Sequence, residues 1–433
     1  MLTIISINLS VDPYGMFHLW DKPGFNQNRP AQFNRVRLMK AYDVRRLAPK
    51  VIVLGSSRVH LGIRMSHPGW PEAAASRYNL AFDGATAKEM YLYLRHAYVA
   101  GPVKLVVLGL DSYHPLAVPA RVRPDFDPAL LFASENRWPS LHVVGEDLRI
   151  LASAGTLQES WRTWRAQSDP IANWFAADGQ RVGEAFFRRS GESFVEQGPR
   201  FYFDQINKDE VRFQLDWRIP TTTRAKAAPP IAVDPLTSLD YIGKIVEFCR
   251  EHEIDLRIFL TPSHAYQFEI TAAAGGWAAV EHGKQALVNL LATDAQNNPD
   301  KAPIPLYDFN QYSIVTTEAP PARGSHDEMH FYWDSSHFKE IVGDWVLDRI
   351  FGVARVESPL PADFGQRLTA ENIVRNIEQL RADHRRFAGL ATGDVQELQH
   401  WVDDFISGHG IDMSEIKKAR LDLPSSAANV AGD

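Results

Sequence analysis

The sequence predicts an α/β protein built around a parallel sheet, with helices on both faces. Short apolar runs rich in Val, Ile and Leu end in turn residues, which is typical of strands buried on both faces. Helical patterns lie between several of these runs, and this alternation favours a three-layer α/β arrangement. The predicted strands are 51–54, 78–81, 104–110, 255–261 and 305–309.

Helices are predicted from the spacing of apolar residues between and after these strands. The segments 87–99, 239–252 and 338–351 carry apolar side chains at intervals of three and four residues. Each of them would cover one face of the sheet with its apolar side.

The composition is that of a globular protein. The chain has 433 residues, of which 45% are hydrophobic and 23% charged, and this length can bury a sizeable core. A formal net charge of −7 argues against a general nucleic-acid binder. The single cysteine, Cys249, excludes an internal disulfide framework and a multi-cysteine zinc site.

The predicted α/β domain comprises 48–116 and 236–352, and an insertion of 117–235 separates its third and fourth strands. Because it follows a strand end, the insertion would overhang the ligand crevice of a parallel sheet. Its end, 221–235, is rich in turn residues. We interpret its aromatic residues mainly as core and less as sugar platforms; they include Trp138, Trp161, Trp164, Trp174, Phe175, Phe186, Phe187, Tyr202 and Phe203.

The N-terminal segment, 1–47, begins with the apolar run 1–9. Two interpretations of this run stay open: a buried first strand or helix end, and the tail of a membrane anchor. The sequence contains no run of about 18 apolar residues, the length that a membrane-spanning helix needs.

The C-terminal extension, 353–423, has a different character. Amphipathic helices are predicted at 368–384 and 394–406, without strands. The small and polar residues of 424–433 predict a disordered tail.

A candidate nucleophile follows the first predicted strand. Gly55, Ser56, Ser57 and Arg58 come directly after it, so a hydroxyl would lie at the C-terminal edge of the sheet. A helix starting there would direct its N-terminal amides at a developing negative charge. The alternative is a serine that caps an ordinary helix.

A base for this serine is available near the end of the α/β domain. Asp334 and His337 lie on the loop before 338–351, and their spacing lets the carboxylate bind one imidazole nitrogen. The other nitrogen is then free to face a serine, as in a catalytic triad. The alternative is that Asp334 or Ser335 only caps the helix. A second Asp-x-x-His pair, Asp327 and His330, ranks lower because no helix follows it closely.

Neither a cofactor nor a resident metal is expected. The sequence lacks the phosphate-loop motif, a Rossmann glycine triplet after the first strand and a His-Glu-x-x-His zinc motif. His326, His330 and His337, with Asp327 and Asp334, leave a metal cluster as a minor alternative. Solvated loop histidines are the favoured interpretation.

These motifs resemble the SGNH (GDSL-like) hydrolase superfamily. Gly55-Ser56-Ser57 resembles the first conserved block of this superfamily. The segment 79–84 resembles the second block, with Gly84 at the position of the oxyanion-hole glycine. Asp334-Ser335-Ser336-His337 resembles the final block. The resemblance covers about 48–115 and 240–351. It implies a three-layer flavodoxin-like fold, a triad of Ser57, His337 and Asp334, and oxyanion donors at Ser57 and Gly84.

The third block departs from the family pattern. Asp111 lies where the resemblance implies the oxyanion-hole asparagine. A carboxylate at that place would repel an oxyanion unless it is protonated or turned away. Arg58, Ser112 and His264 are the candidates for a replacement donor in the pocket.

Within the superfamily the chain most resembles divergent, membrane-associated proteins of bacterial envelopes, such as those of alginate O-acetylation and D-alanyl transfer to teichoic acid. The resemblance implies an O-acyl esterase or O-acyltransferase, with acetyl as the expected acyl group. The resemblance also implies that the protein acts outside the cytoplasmic membrane. The expected partners of the protein are an acyl donor, a glycan acceptor or acylated glycan, and a membrane-bound acyltransferase, but no nucleic acid.

Two other functions stay open. The Asp111 departure and the aromatic insertion favour a catalytically weak protein that binds a glycan or a partner during envelope assembly. The other alternative is a cytoplasmic esterase that acts on small molecules.

Overall fold

A six-stranded sheet lies at the centre of the computed structural model. Its strand order is β2-β1-β3-β4-β5-β6, and all neighbours are parallel except β5 and β6. The strands are β1 (Val51–Leu54), β2 (Arg77–Asn79), β3 (Leu105–Leu110), β4 (Asp255–Leu260), β5 (Leu306–Asp308) and β6 (Gln366–Arg367). The structure describes residues 1–71, 76–114, 120, 122, 123, 126–131, 141–169, 174–190, 192–215, 234–411, 414, 416 and 418.

Helices occupy most of the remaining described chain. The longer ones are α1 (Leu2–Val11), α2 (Val36–Leu47), α3 (Ser57–Gly62), α4 (Ala87–Ala100), α5 (Leu141–Leu151), α6 (Ala154–Arg165), α7 (Gly183–Ser190), α8 (Glu192–Gln197), α9 (Pro199–Leu215), α10 (Ser238–Glu251), α11 (Ala265–Ala273), α12 (Trp277–Asn297), α13 (Glu340–Phe351), α14 (Ile373–Leu390) and α15 (Thr392–His409). Within the described residues, no helix is both long and apolar enough to cross a membrane.

The central strands are buried on both faces, as their continuous apolar sequence predicts. Every residue of β1 and β3 is buried. Along β1, Ile52 and Leu54 belong to one apolar cluster, whereas Val51 and Val53 belong to another. Successive side chains of a strand point to opposite faces, so the two clusters are the two helix-covered sides of the sheet. The predicted α/β fold with a central, mostly parallel sheet is confirmed.

The strand order predicts a ligand-binding crevice at the carboxyl ends of β1 and β3. Strand β1 pairs with β2 on one side and with β3 on the other, so the chain changes winding direction there. In open α/β sheets, ligands bind beyond the carboxyl ends of strands at such a switch point. The loops that follow β1 and β3 therefore border the expected site.

The C-terminal extension contributes a strand, so the prediction of helices without strands after 352 is wrong. Asp308 pairs with Gln366, and Tyr307 pairs with Arg367, in antiparallel register. Both β6 residues are exposed and polar. A two-residue strand of this kind carries no apolar pattern, and it forms because β5 offers an unpaired edge.

The insertion is largely helical where the structure describes it. Helix α9 packs against α11 and against α15. The aromatic residues divide between core and surface: Trp174, Phe187 and Phe203 are buried, whereas Trp161 and Trp164 are exposed. Trp138, most of the turn-rich end 221–235 and the tail 424–433 lie outside the described residues.

Candidate active site

The first helix after β1 presents the candidate nucleophile. Ser57 is the first residue of α3, and Ser56 fills the N-cap, where its Oγ accepts a hydrogen bond from the Arg58 N–H at 3.4 Å. The capping role considered for the serine therefore belongs to Ser56. A Cβ on Gly55 would overlap Val59 and come within 3.1 Å of the Gly109 carbonyl oxygen, so this turn requires glycine.

Ser57, His337 and Asp334 form a hydrogen-bonded chain. The Ser57 Oγ lies 2.9 Å from His337 Nε2, and His337 Nδ1 lies 2.8 Å from Asp334 Oδ2. This network assigns the ring proton to Nδ1 and leaves Nε2 to accept from the serine hydroxyl. The side chain of Asp334 is fully buried, whereas that of His337 is 14% exposed. The arrangement is that of a nucleophile, a base and the group that orients the base.

The triad loop is fixed by its own backbone. Asp334 Oδ1 accepts hydrogen bonds from the N–H groups of Ser336, at 2.6 Å, and of His337, at 2.9 Å. On either side, Tyr332 and Phe338 form an antiparallel bridge. Asp334 therefore both shapes the turn and holds the imidazole. Neither Asp334 nor Ser335 caps the following helix, because α13 has Lys339 at its N-cap and no side-chain cap hydrogen bond.

The second Asp-x-x-His pair does not form. Asp327 Oδ2 accepts from the Ser325 hydroxyl at 2.7 Å. The side chain of His330 is 89% exposed, and its Nδ1 lies 3.3 Å from Glu318 Oε1. In the part of the chain that the structure describes, no group of three or more His, Cys, Asp or Glu residues is placed to hold a metal ion.

The candidate oxyanion donors are the backbone N–H groups of Ser57 and Gly84. The second-block loop joins the first where the Phe82 N–H donates to the Gly55 carbonyl at 3.2 Å. Gly84 adopts a φ of 59°, which favours glycine. Across the described residues, the N–H groups of Ser57 and Gly84 donate to no protein acceptor. Both N–H groups are therefore available as donors.

Buried charges hold the second-block loop in place. Lys40 is fully buried and donates to the carbonyls of Asn79, at 2.6 Å, and Gly179, at 2.9 Å. Arg181, from the insertion, forms an ion pair with Asp83, the residue before Gly84. The insertion thus helps to position the candidate oxyanion-hole glycine.

Asp111 is held as a paired carboxylate. Its Oδ1 lies 3.1 Å from Arg58 Nη1 and accepts from Thr261 Oγ1 at 2.7 Å, and its Oδ2 accepts from the Tyr113 hydroxyl at 2.9 Å. Burial raises the pKa of Asp111, but the Arg58 guanidinium and His114 hold it well below its usual range. The carboxylate is neutralised by Arg58 and is no donor to an oxyanion.

The three candidate replacement donors are placed differently. Arg58 bridges Asp111 and the triad loop, because its Nε donates to the Ser336 carbonyl at 3.0 Å. Ser112 is half-buried in the turn after β3. His264 is fully buried, and its Nδ1 accepts from the Tyr266 N–H while Nε2 donates to the Glu318 carbonyl. Burial lowers the pKa of His264 to about 4, and its backbone N–H donates to the Ser335 carbonyl of the triad loop at 3.3 Å.

The insertion places further groups near the triad, of which Glu210 was not among the residues singled out from the sequence. Glu210 of α9 is half-buried, and Gln214 Nε2 donates to its Oε1 at 2.8 Å. Burial raises the pKa of Glu210, and Arg58 and His337 lie near enough to offset part of that rise. Phe187 stacks on Trp333 with ring centroids 4.8 Å apart. No sequence motif marks these residues, since only the packing of the insertion places them here.

Searches of protein-family models, curated proteins and solved structures found no match to this chain. The site holds a hydroxyl paired with an oriented base and, in the adjoining loop, a free glycine N–H. Such an arrangement can attack an acyl carbonyl and stabilise the resulting oxyanion.

Proposed function

We propose that this chain is a serine-dependent O-acyl esterase or O-acyltransferase with the three-layer flavodoxin-like fold of the SGNH hydrolases. The observation that carries the proposal is the continuous chain from Ser57 through His337 to the buried Asp334, with contacts of 2.9 Å and 2.8 Å. The strand order 2-1-3-4-5 supports the fold assignment, because flavodoxin-like sheets have it.

In the first half-reaction, Ser57 Oγ attacks the carbonyl carbon of an O-acyl ester. His337 Nε2 accepts the hydroxyl proton as the C–O bond forms, and Asp334 stabilises the imidazolium. The N–H groups of Ser57 and Gly84 donate to the carbonyl oxygen as it becomes negative. When the tetrahedral intermediate collapses, the ester C–O bond breaks and His337 returns the proton to the leaving alcohol. An acyl-serine remains.

In the second half-reaction, the oxygen of an incoming hydroxyl attacks the carbonyl carbon of the acyl-serine, and His337 takes the proton of that hydroxyl. Water gives a free acid, and a glycan hydroxyl gives an O-acylated glycan. The proton then returns to Ser57 Oγ, which restores the starting state. The two reactions share every residue of the triad and differ only in the acceptor.

The substrate follows from the resemblance to envelope proteins. We assign a small acyl group, with acetyl as the first choice, and a cell-envelope or exported glycan as acceptor or acylated substrate. The place of action would be outside the cytoplasmic membrane, alongside a membrane-bound acyltransferase as partner. These assignments rest on fold-level analogy, whereas the reaction class rests on the triad geometry.

The decisive experiment is p-nitrophenyl acetate turnover by the wild type, Ser57→Ala and His337→Gln. Each substitution is expected to lower kcat/KM by at least about 10³-fold, because the hydroxyl and the base act as one unit. His330→Gln is the matched control, since that exposed histidine belongs to the second Asp-x-x-His pair. Wild-type turnover that survives Ser57→Ala would contradict the proposal.

A second candidate function is a glycan-binding role without turnover, and Asp111 is the observation that favours it. The third-block position supplies a carboxylate bound to Arg58, where an active site would use a donor. Losing one such donor costs about 10²–10³ in rate. If the wild type turns over neither p-nitrophenyl acetate nor acetylated glycans, and Ser57→Ala binds glycan as tightly as the wild type, this function replaces the first.

A further inference from the structure

The guanidinium of Arg58 is held between two loops at the C-terminal edge of the sheet. Its Nε donates to the Ser336 carbonyl at 3.0 Å and lies 3.2 Å from the Ser336 hydroxyl, while Nη1 lies 3.1 Å from Asp111 Oδ1. Ser336 precedes His337 in the triad loop, and Asp111 follows β3 directly. Because Arg58 itself follows Ser57, one guanidinium joins the nucleophile helix, the loop of the base and the turn after β3.

One end of this guanidinium stays free to donate. The side chain of Arg58 is only 7% exposed. Within the part of the chain that the structure describes, its Nη2 donates to no protein atom. It is not one of the buried polar atoms left without a partner there, so Nη2 reaches solvent. Its N–H groups are therefore available to a ligand where β1 and β3 end, which is where the strand order predicts the crevice.

The side chain at the third-block position serves this guanidinium and has no N–H of its own. Asp111 Oδ1 accepts from Thr261 Oγ1 at 2.7 Å in addition to facing Arg58, and Oδ2 accepts from the Tyr113 hydroxyl at 2.9 Å. Both oxygens of the carboxylate are thus engaged by donors. Asp111 therefore acts as a fixed counter-ion that holds the orientation of the guanidinium plane.

The charges near Arg58 favour its role as a donor. Glu210 approaches from α9, and burial raises its pKa, although Arg58 and His337 oppose that rise. A raised pKa favours the neutral form of Glu210, which leaves Asp111 as the close counter-ion. An arginine in an ion pair stays charged at every pH that a protein tolerates. Hydrogen bonds from such a group are roughly twice as strong as those between neutral groups.

We propose that Arg58 supplies the third donor of the oxyanion hole in place of the asparagine that the third block lacks. The inference rests on the proposed acyl transfer at Ser57. As Ser57 Oγ bonds to the carbonyl carbon, the second electron pair of the C=O bond moves to its oxygen, and Nη2 donates a hydrogen bond to that oxygen. No proton leaves the guanidinium. When the ester C–O bond breaks, the electron pair returns to re-form C=O. Arg58 is then a catalytic residue, and Asp111 is a positioning residue that acts through it.

The test starts with p-nitrophenyl acetate turnover by the wild type and Arg58→Gln. Loss of one oxyanion donor is expected to lower kcat by about 10²–10³-fold. KM should change by less than about threefold, because the negative charge on the carbonyl oxygen develops only in the transition state. Arg58→Gln also leaves Asp111 buried and charged without its counter-ion, which destabilises the fold.

Two double variants separate donation from charge neutralisation. Arg58→Gln/Asp111→Asn and Arg58→Gln/Asp111→Leu both remove the unpaired buried carboxylate, so thermal unfolding should show recovered stability in both. Only the asparagine side chain offers an N–H at the third-block position. The kcat of Arg58→Gln/Asp111→Asn is therefore expected to exceed that of Arg58→Gln/Asp111→Leu by at least about tenfold.

Arg250→Gln is the matched control for the loss of an arginine from an ion pair. Arg250 of α10 pairs with Asp294 of α12 at 2.6 Å, and their side chains are 16% and 8% exposed. This ion pair lies on the side of the sheet where β4 begins, away from the triad. Arg250→Gln should lower the unfolding temperature and leave kcat unchanged.

Three results overturn the inference and leave Ser57 as the nucleophile. The first is a kcat for Arg58→Gln within about threefold of the wild type, since a lost donor costs far more. The second is a change confined to KM, which assigns Arg58 to substrate binding. The third is equal recovery of kcat in both double variants, which assigns it to neutralising Asp111. Turnover that survives Ser57→Ala, or a wild type without turnover, overturns the proposed function and this inference together.

Discussion

Arg58 is the residue that joins three parts of the site. It follows the nucleophile, pairs with Asp111 at 3.1 Å and donates to the Ser336 carbonyl at 3.0 Å. Burial opposes the charged form, but the pKa of Arg58 still lies above its ordinary value because Asp111 and Tyr113 favour the cation. A buried ion pair of this kind is costly to break, because either partner alone would be left charged and desolvated. The ion pair holds the Arg58 side chain in place, and its bond to the Ser336 carbonyl links the triad loop to α3.

His264 gives the protein a specific dependence on pH. Its pKa is about 4 in the folded protein because of burial, against 6.5 for an ordinary histidine. Between about pH 6.5 and about pH 4, the His264 ring binds a proton in the unfolded chain but not in the folded protein. The free energy of unfolding therefore falls as the pH drops through this window. The contribution of His264 over this window is roughly 3 kcal/mol.

Chemical denaturation at several pH values measures this effect. His264→Asn, which keeps a side chain able to cap α11, is expected to make the fall in unfolding free energy over that window shallower. His330→Gln is the control, because that side chain is 89% exposed. An unchanged slope in His264→Asn would show that the histidine charges freely in the folded state.

At the scale of elements, two glycines let α3 and α13 meet. A Cβ on Gly343 of α13 would overlap the carbonyl oxygen of Gly62, and a Cβ on Gly62 would overlap the ring of Phe338. Helix α3 begins at Ser57, and α13 begins three residues after His337. The close approach of these helices therefore sets the distance between nucleophile and base.

Gly343→Ala is expected to lower the free energy of unfolding by roughly 2–3 kcal/mol, because the added methyl group meets backbone that cannot rotate away. It should also lower the turnover of p-nitrophenyl acetate by up to about 10²-fold, since a displacement of about 1 Å disturbs the triad.

Gly389→Ala is the matched control for this substitution. Gly389 also lies in a helix, but nothing lies within 4 Å of its Cβ position. Alanine there should leave activity unchanged and add up to about 1 kcal/mol of stability. Urea denaturation measures the change in stability. If Gly343→Ala and the wild type unfold at the same urea concentration, α3 and α13 can move apart without loss of stability.

At the scale of the molecule, the C-terminal extension shares a core with the sheet. Leu398, Val402 and Ile406 of α15 are at most 1% exposed and belong to the same apolar cluster as Val53 of β1. The extension also supplies β6. A shared core of this kind predicts that the extension and the α/β domain unfold in one transition.

Calorimetry of Val402→Ala tests this cooperativity. Truncating this buried side chain should cost about 2 kcal/mol and move a single, undivided transition to lower temperature. Leu390→Ala, at a site that is 81% exposed, should leave the transition in place. A second transition that shifts alone would show that the extension is a separate folding unit.

Much of the fold follows from local patterns. The apolar runs at 51–54 and 255–261 predicted strands that lie within one residue of β1 and β4. Helix 338–351 was placed within two residues of α13. Such patterns work because burial on two faces, or on one side of a helix, repeats over a few residues. The two-residue strand β6 has no such repeat, so it could not be predicted.

The sequence by itself determined the candidate groups of the site: a serine after the first strand, and an aspartate and histidine three residues apart before a helix. Tertiary structure alone decided that Ser57 and His337, 280 residues apart, lie in contact, that Arg58 neutralises Asp111, and that Glu210 comes near them. It also left the apolar side chains of Leu141 and Leu148 on α5 exposed. Local sequence sets residue type and periodicity, whereas contacts between distant segments depend on how whole elements pack.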